Sequence, residues 1–167
     1  MTVQELMEGI SVDPNLEGIA TADDMVFGID FASIPTDDPL TYLVAQLGIS
    51  EVSGALSGQT QSATYLRAGE VTTKTGTSKA FTLSGDRYRM DDFQEAILAH
   101  DLKWGRGVSV VKPYVYFDML TGKGERGKVA ITIEGDFANG AGSNGGISGT
   151  LNVQGTPTEY TYTPPTP

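Results

Sequence analysis

Chemistry on a protein needs a nucleophile beside a base, paired carboxylates, a cluster of metal ligands or a cradle for phosphate. A few stretches of this chain approach those requirements. Gly122-Lys123-Gly124-Glu125-Arg126-Gly127-Lys128 has the GxxxxGK spacing of a phosphate-binding loop. The next residue is Val129, so the hydroxyl that would hold Mg²⁺ is missing, and the pattern beyond it is that of a strand where the motif needs a helix. An exposed, basic hairpin connection is the expectation there. Asp13, Asn15, Glu17, Gly18 and Asp24 fall at the first, third, fifth, sixth and twelfth positions of a calcium loop. The Glu at the fifth and the Asp at the twelfth depart from that motif, and Met25–Phe31 is β-like where an exit helix is required. An Asx-rich surface loop is expected instead. His100 is the only histidine, and no nucleophile-elbow pattern offers it a partner. Asp91, Asp92 and Glu95 are accounted for by helix capping and the helix dipole. Trp104 reads as a core or helix–sheet contact. No catalytic residue, cofactor or metal ligand is expected, and the chain is not read as an enzyme.

The elements that must position any site are clearest between Gly127 and Gln154. Val129, Ile131, Ile133 and Phe137 alternate with Lys128, Thr132, Glu134 and Asp136. After the Gly/Asn-rich break 138–146, Ile147, Leu151 and Val153 fall on one face and Ser148, Thr150, Asn152 and Gln154 on the other. A two-residue period places i and i+2 on one side of a strand, so the pattern predicts an antiparallel sheet with one buried and one wet face. Further strands are expected at 63–67, 70–75, 78–88 and 108–119, with a turn at Gly76–Thr77 and a last edge strand at 158–163. Ser50–Ser62 reads as a loop or edge strand. A short helix is expected within 1–11 and a brief one over 38–47, with Asp38 as N-cap, Pro39 at the first helical position and Gly48 as the stop. Phe93 and Ile97, with Ala96 and Ala99 near them, predict a helix over 91–102.

At 167 residues the chain has the length of one domain, which buries roughly 70% of its unfolded surface. It contains no cysteine, which excludes disulfides, thiolate zinc sites and cysteine nucleophiles. No run of about 18 apolar residues marks a membrane span, and Met1–Ile10 carries no basic residue, unlike a secretion signal. The default expectation is a cytoplasmic origin. The net charge of −10 lies wholly in the first 66 residues, which hold ten acidic and no basic side chains; from Arg67 onward eleven of each cancel. Tight binding to nucleic acid needs clustered Lys and Arg, and that footprint is missing. The expected organisation is an acidic N-terminal arm over 1–62 packing on a β-sandwich core over 63–163, followed by a disordered Pro-rich tail over 164–167.

The stretch from Val108 to Tyr162, with YVYFDMLTGKGERGKVAITIEGDFANGAGSNGGISGTLNVQGTP at its centre, resembles the C-terminal half of major tail tube proteins of long-tailed, flexible-tailed bacteriophages. MDDFQEAILAH, just before it, is similar to the single helix those proteins place between their sheets. The resemblance covers Ala63 to the C-terminus. It implies a mainly β fold, a two-sheet antiparallel sandwich or partial barrel flanked by one helix. It also implies a virion structural protein, assembled in the host cytoplasm into stacked, generally hexameric rings. DNA would pass through the lumen without specific binding. Extended loops and terminal arms would bind neighbouring subunits, a tape-measure protein would lie inside, and tail terminator and distal tail proteins would sit at the ends. No membrane is involved.

On that reading Thr132, Glu134, Asp136, Ser148, Thr150, Asn152 and Gln154 are the expected lumen-facing residues, since small polar and acidic groups hold water and repel phosphate. Lys123, Glu125, Arg126 and Lys128 are the expected inter-subunit residues, with a neighbour's acidic arm as their partner. Ser50–Ser62 and the arm itself would add ring contacts. The alternative is a monomeric β-sandwich module binding carbohydrate or a host surface through Tyr114, Tyr116, Tyr160 and Tyr162.

Overall fold

Thr2 opens the first element. Its hydroxyl accepts a hydrogen bond from the Glu5 N–H and the Glu5 carboxylate accepts one from the Thr2 N–H, a reciprocal cap that starts α1 (Val3–Met7). This computed structural model describes residues 1–164, so most of the expected Pro-rich tail, 165–167, lies outside the described residues. The strands are β1 (Met25–Ile29), β2 (Leu43–Val44), β3 (Ile49–Tyr65), β4 (Gly69–Asp86), β5 (Val111–Asp118), β6 (Lys123–Asp136) and β7 (Gly146–Thr161). Between β4 and β5 lie α2 (Asp92–Ile97) and α3 (His100–Lys103).

The strands form one antiparallel sheet in the order β2-β1-β5-β6-β7-β4-β3. That sheet bends over on itself. Phe27 on β1 and Phe81 on β4 have three strands between them, yet their rings meet at 4.9 Å. Tyr114 and Tyr116 of β5 close around Phe81 at 5.3 and 5.1 Å. The result is the sandwich-like, mainly β architecture that the resemblance implies, with its two layers joined by continuous hydrogen bonding. The inner core combines Phe27, Ile29, Phe81, Leu83, Val129, Ile131 and Leu151 with Phe93, Ile97 and Leu102 from the helices. A second cluster covers the opposite face of β1 and β5, where Val26, Val115 and Phe117 meet Val3 and Met7 of α1, Tyr42, Val44 and Tyr162. β1 and β5 are thus buried on both faces, as a near-continuous apolar run requires.

Several expectations change. The N-terminal region is not a separate arm: β1 is an interior strand between β2 and β5, and the 62/63 boundary falls inside β3. Of the loop and the edge strand expected at Ser50–Ser62 the edge strand is found, as part of the 17-residue β3, whereas Gly76–Thr77 lies within β4, not in a turn. Asp38 does cap at Pro39, but one 3₁₀ turn suffices, because Leu43 and Val44 leave it to pair with β1. The helix over 91–102 starts on Asp91 as expected, then breaks where Ala99 adopts an extended backbone. The GxxxxGK stretch is not a hairpin connection; its residues from Lys123 onward lie in β6, and the turn is at 119–122. The region 158–163 is no separate edge strand: to Thr161 it continues β7.

Candidate functional site

The wet face predicted from the alternation exists and is wider than two strands. Thr132 lies opposite Thr150, Ala130 opposite Asn152 and Lys128 opposite Gln154. On the other side of β7, Thr82 faces Thr150, Ala80 faces Asn152 and Ser84 faces Ser148. β3 continues the rows with Ser53 beside Thr82 and Glu51 beside Ser84. Across four strands this surface is built of Ser, Thr, Ala, Asn and Gln, with two acids held in place. Glu134 accepts a hydrogen bond from the Thr150 hydroxyl at 3.1 Å. Glu51 accepts one from Ser53 at 2.7 Å and one from Ser84 at 3.4 Å. Lys128, at one end, is the cation among these paired rows. The strand Gly146–Gln154 is covered on both sides by β6 and β4.

Asp136 leaves this face. Ile133 pairs with Gly149 but Gly135 with Ser148, so Glu134 is an extra residue and the alternation reverses beyond it. Asp136 then pairs with Ile147 on the core side, and its carboxylate accepts from the Lys103 ammonium of α3 at 2.7 Å. The same reversal, with a positive φ of 53° at Phe137, turns that ring out to solvent at 55% exposure. Trp104 also differs from expectation, standing 74% exposed beyond α3.

The expected inter-subunit residues are largely engaged within the chain. The Lys123 ammonium donates to the Pro14 carbonyl at 2.7 Å, and Arg126 lies 3.7 Å from Asp37. The acidic segment expected to reach a neighbour's basic patch thus lies on its own. Glu125 lies deeper. One carboxylate oxygen accepts from Lys79 at 2.6 Å and from the Tyr114 hydroxyl at 2.9 Å, while the Lys79 ammonium sits over the Phe81 and Tyr116 rings. Burial first, then the Glu125 hydrogen bond and charge, pushes the Tyr114 hydroxyl far up from its ordinary pKa. Among the described residues Lys128 forms no ion pair.

Of the four tyrosines of a carbohydrate-stacking surface, two are core residues and two are half-buried against the core. Tyr114 is fully buried and Tyr162 nearly so, Tyr116 packs on Phe27 and Phe81, and Tyr160 stands edge-on to Phe117. Burial raises Tyr160, and Tyr42 beside it in the second cluster, to about 12. Among the described residues no three His, Cys, Asp or Glu side chains gather as metal ligands. The segment 13–24 runs into a 3₁₀ turn at Ala22–Asp24 and then β1, without a calcium loop's exit helix.

Two features were not legible as sites. The first is a projecting ribbon. β4 pairs with β7 only from Ala80 to Asp86, so Gly69–Lys79 and their partners Leu56–Tyr65 run on as two strands alone. Eleven residues at about 3.3 Å each carry the tip roughly 35 Å past the last pairing with β7. The second is an open cleft of about 660 Å³ at the other end of β4, lined by Gly48, Asp86, Arg87, Tyr88, Arg89, Phe137 and the 144–145 loop. Gln94, fully buried, ties these segments together by donating to the Leu47 and Asp86 carbonyls and accepting from the Tyr88 N–H.

No protein-family model matches the sequence, and no curated protein is similar to it in sequence. The fold does have solved counterparts. A chain in the tail of an empty gene transfer agent particle, determined by helical refinement with C6 symmetry, superposes with a TM-score of 0.59 at 15% identity, covering 86% of this chain and 100% of that one. A chain in the virion of a native gene transfer agent particle superposes at 0.58 and 12% identity with the same coverage. At the level of fold, this chain is similar over most of its length to chains of gene transfer agent particles, one of them in the particle's tail.

Proposed function

We propose that this chain is a structural, non-enzymatic subunit of a phage-type tail tube, closing into rings of six copies that stack around a DNA conduit. The observation that carries the reading is the likeness, over 86% of the chain, to a protein of a sixfold tail. The wet face fits the lumen. Thr132, Glu134, Ser148, Thr150, Asn152 and Gln154 present small hydrated groups and negative charge, and a wall with so few cations has no counterions to release on meeting phosphate. The free side of β3, a 17-residue strand in which ten residues are Gly, Ser, Thr or Gln and Glu51 is the one charge, gives an edge on which a neighbour can pair. A closed ring removes such edges. A tape-measure protein within the lumen and terminator and distal tail proteins at the tube ends complete the proposed assembly, which places the protein in the virion.

The test is electron microscopy of the purified protein across a concentration series. Sixfold rings or hollow tubes are expected. A strict monomer at every concentration, also after addition of preformed tail ends, would overturn the proposal.

A further inference from the structure

We infer that Asn139 and then Asn144 deamidate spontaneously, each through a succinimide closed by the glycine that follows it, and that this releases the 138–146 loop from β4. The reaction needs only this loop and water, whether or not tubes form.

Four asparagines occur in the chain, and only Asn139 and Asn144 precede glycine. Asn-Gly is a turn signal, and both pairs lie in the loop between β6 and β7, where both asparagines are exposed. Glycine lacks the Cβ that would crowd a ring closing onto its nitrogen. Among the described residues neither the Gly140 nor the Gly145 N–H donates a hydrogen bond, so neither nitrogen has a partner to give up before it reacts. The other two asparagines are placed differently. Asn152 is paired on both sides, to Ala80 and Ala130, and precedes the branched Val153, while Asn15 precedes Leu16.

The step balances with water alone. The backbone nitrogen of the glycine gives its proton to hydroxide, and its electron pair forms a bond to the asparagine side-chain carbonyl carbon. The old C–N bond of that side chain breaks and ammonia leaves, which closes the succinimide ring. Water then adds to either ring carbonyl. One opening leaves aspartate, the other isoaspartate, and the net exchange is one water taken up for one ammonia lost.

The hydrogen bonds of the loop set the order. Gly140 has open space around it, with nothing within 4 Å of where a Cβ would lie. The Asn144–Gly145 peptide is clamped. The Asn139 amide donates to the Asn144 carbonyl at 2.7 Å, the Gly145 carbonyl accepts from the Arg87 N–H at 2.6 Å, and the Phe137 ring lies against Gly145. Attack at Asn144 requires that peptide to turn. Once Asn139 has become a carboxylate it can only accept, so it no longer holds the Asn144 carbonyl, and the second site opens.

The second event cuts the tie to β4. The Asn144 amide donates to the Asp86 carboxylate at 2.9 Å. After conversion two carboxylates meet there and repel. Isoaspartate at 144 also lengthens the backbone by one carbon, which shifts the Gly145 carbonyl from the Arg87 N–H. Each chain thereby gains two negative charges beyond its −10.

The test keeps the full-length protein warm in mildly alkaline buffer, which favours the deprotonated nitrogen, and follows each asparagine by peptide mass spectrometry. Isoaspartate is read separately with an isoaspartyl methyltransferase. Asn139 should convert first, to a mixture of aspartate and isoaspartate, with Asn144 following after a lag and Asn15 and Asn152 unchanged over the same period. Conversion at 139 and 144 no faster than at Asn15, or to aspartate alone, would overturn the inference. Gly140→Ala adds a methyl group in open space, so the fold is kept. In that variant conversion at Asn139 should fall to the level of Asn15, and Asn144 should slow with it although Gly145 is untouched. Asn144 converting there as in the parent would refute the order. Asn139→Asp combined with Asn144→Asp imitates the charge of the product. Hydrogen exchange at the Arg87 amide should then accelerate while that of Ile131, within β6, stays as in the parent. An unchanged Arg87 amide would overturn the release from β4.

Discussion

Glu125 holds the base of the ribbon to the sheet, and removing it should be costly in a particular way. In Glu125→Ala the Lys79 ammonium stays packed against Phe81 and Tyr116 with its partner gone, and the buried Tyr114 hydroxyl loses its acceptor. Breaking a fully buried pair costs about 3–5 kcal/mol. Here the Lys79 and Glu125 side chains retain 14% and 25% exposure, so water can partly rescue the cation. A loss of about 2–3 kcal/mol follows, or roughly 5–10 °C in Tm for a domain of this size. Lys79→Met keeps the ring packing and leaves Glu125 with the tyrosine donor and some water, at about 1 kcal/mol. Lys79→Met combined with Glu125→Gln removes both charges while retaining an acceptor for Tyr114, and should cost only about 0–1 kcal/mol. These variants and the single Glu125→Gln are compared by urea unfolding followed by circular dichroism at concentrations where the protein is monomeric. The reasoning predicts that the double variant departs from the sum of Lys79→Met and Glu125→Gln. A double variant that loses as much as those two single changes summed would refute it, as would a Glu125→Ala protein within about 0.5 kcal/mol of the parent, the range of an ordinary surface change.

Gly124→Ala should destabilise by about 3 kcal/mol or more in the same assay, because a Cβ there would run into the Tyr116 carbonyl oxygen and the Phe117 Cα. Alkaline pH should weaken the fold. Tyr42 and Tyr160 are raised by burial from 10.0 to about 12, so the unfolded chain releases their protons first, and stability complete below pH 10 is lost as pH rises toward 12. Unfolding midpoints measured across that window check the sign. Asp136→Ala, which removes only the part-exposed pair with Lys103, should cost no more than about 1 kcal/mol by thermal melting. In assembled tubes Thr132→Cys should react with a small maleimide but not with a bulky polymer maleimide, and with both as a monomer; equal reaction with both in tubes would place the wet face outside.

Alternation in the sequence revealed the wet face because Thr132, Thr150 and Asn152 sit where a two-residue period holds. It misplaced Asp136 and Phe137 because one extra residue at Glu134 reverses the period, and nothing local in the Ile-Glu-Gly stretch announces the bulge. Glycine misled twice for a physical reason. Gly124 and Gly127 suggest a turn, yet in β6 they allow close approach, Gly124 to the backbone of β5 and Gly127 to the Tyr114 ring. The ribbon was hidden because Ser50–Ser62 has almost no apolar pattern, as expected of strands with no core beneath them. β1 was visible only as a short apolar run, and its interior position depends on β5, far along the chain.

That last pairing bears on the order in which the protein folds. The ribbon closes through a three-residue turn between Tyr65 and Gly69, so its strands can zip locally, in roughly 1–10 μs for a typical hairpin. β1 must instead find β5, with Met25 opposite Asp118 across more than half the chain, a non-local closure that is intrinsically slow. Until it arrives, Val115 and Phe117 lack the cover that Val26, α1 and Tyr162 provide. During synthesis the reverse hazard applies, because β1 emerges first and must wait for β5. The ribbon therefore matures before the body that carries it, its strands paired while the core faces of β1 and β5 still lack their cover.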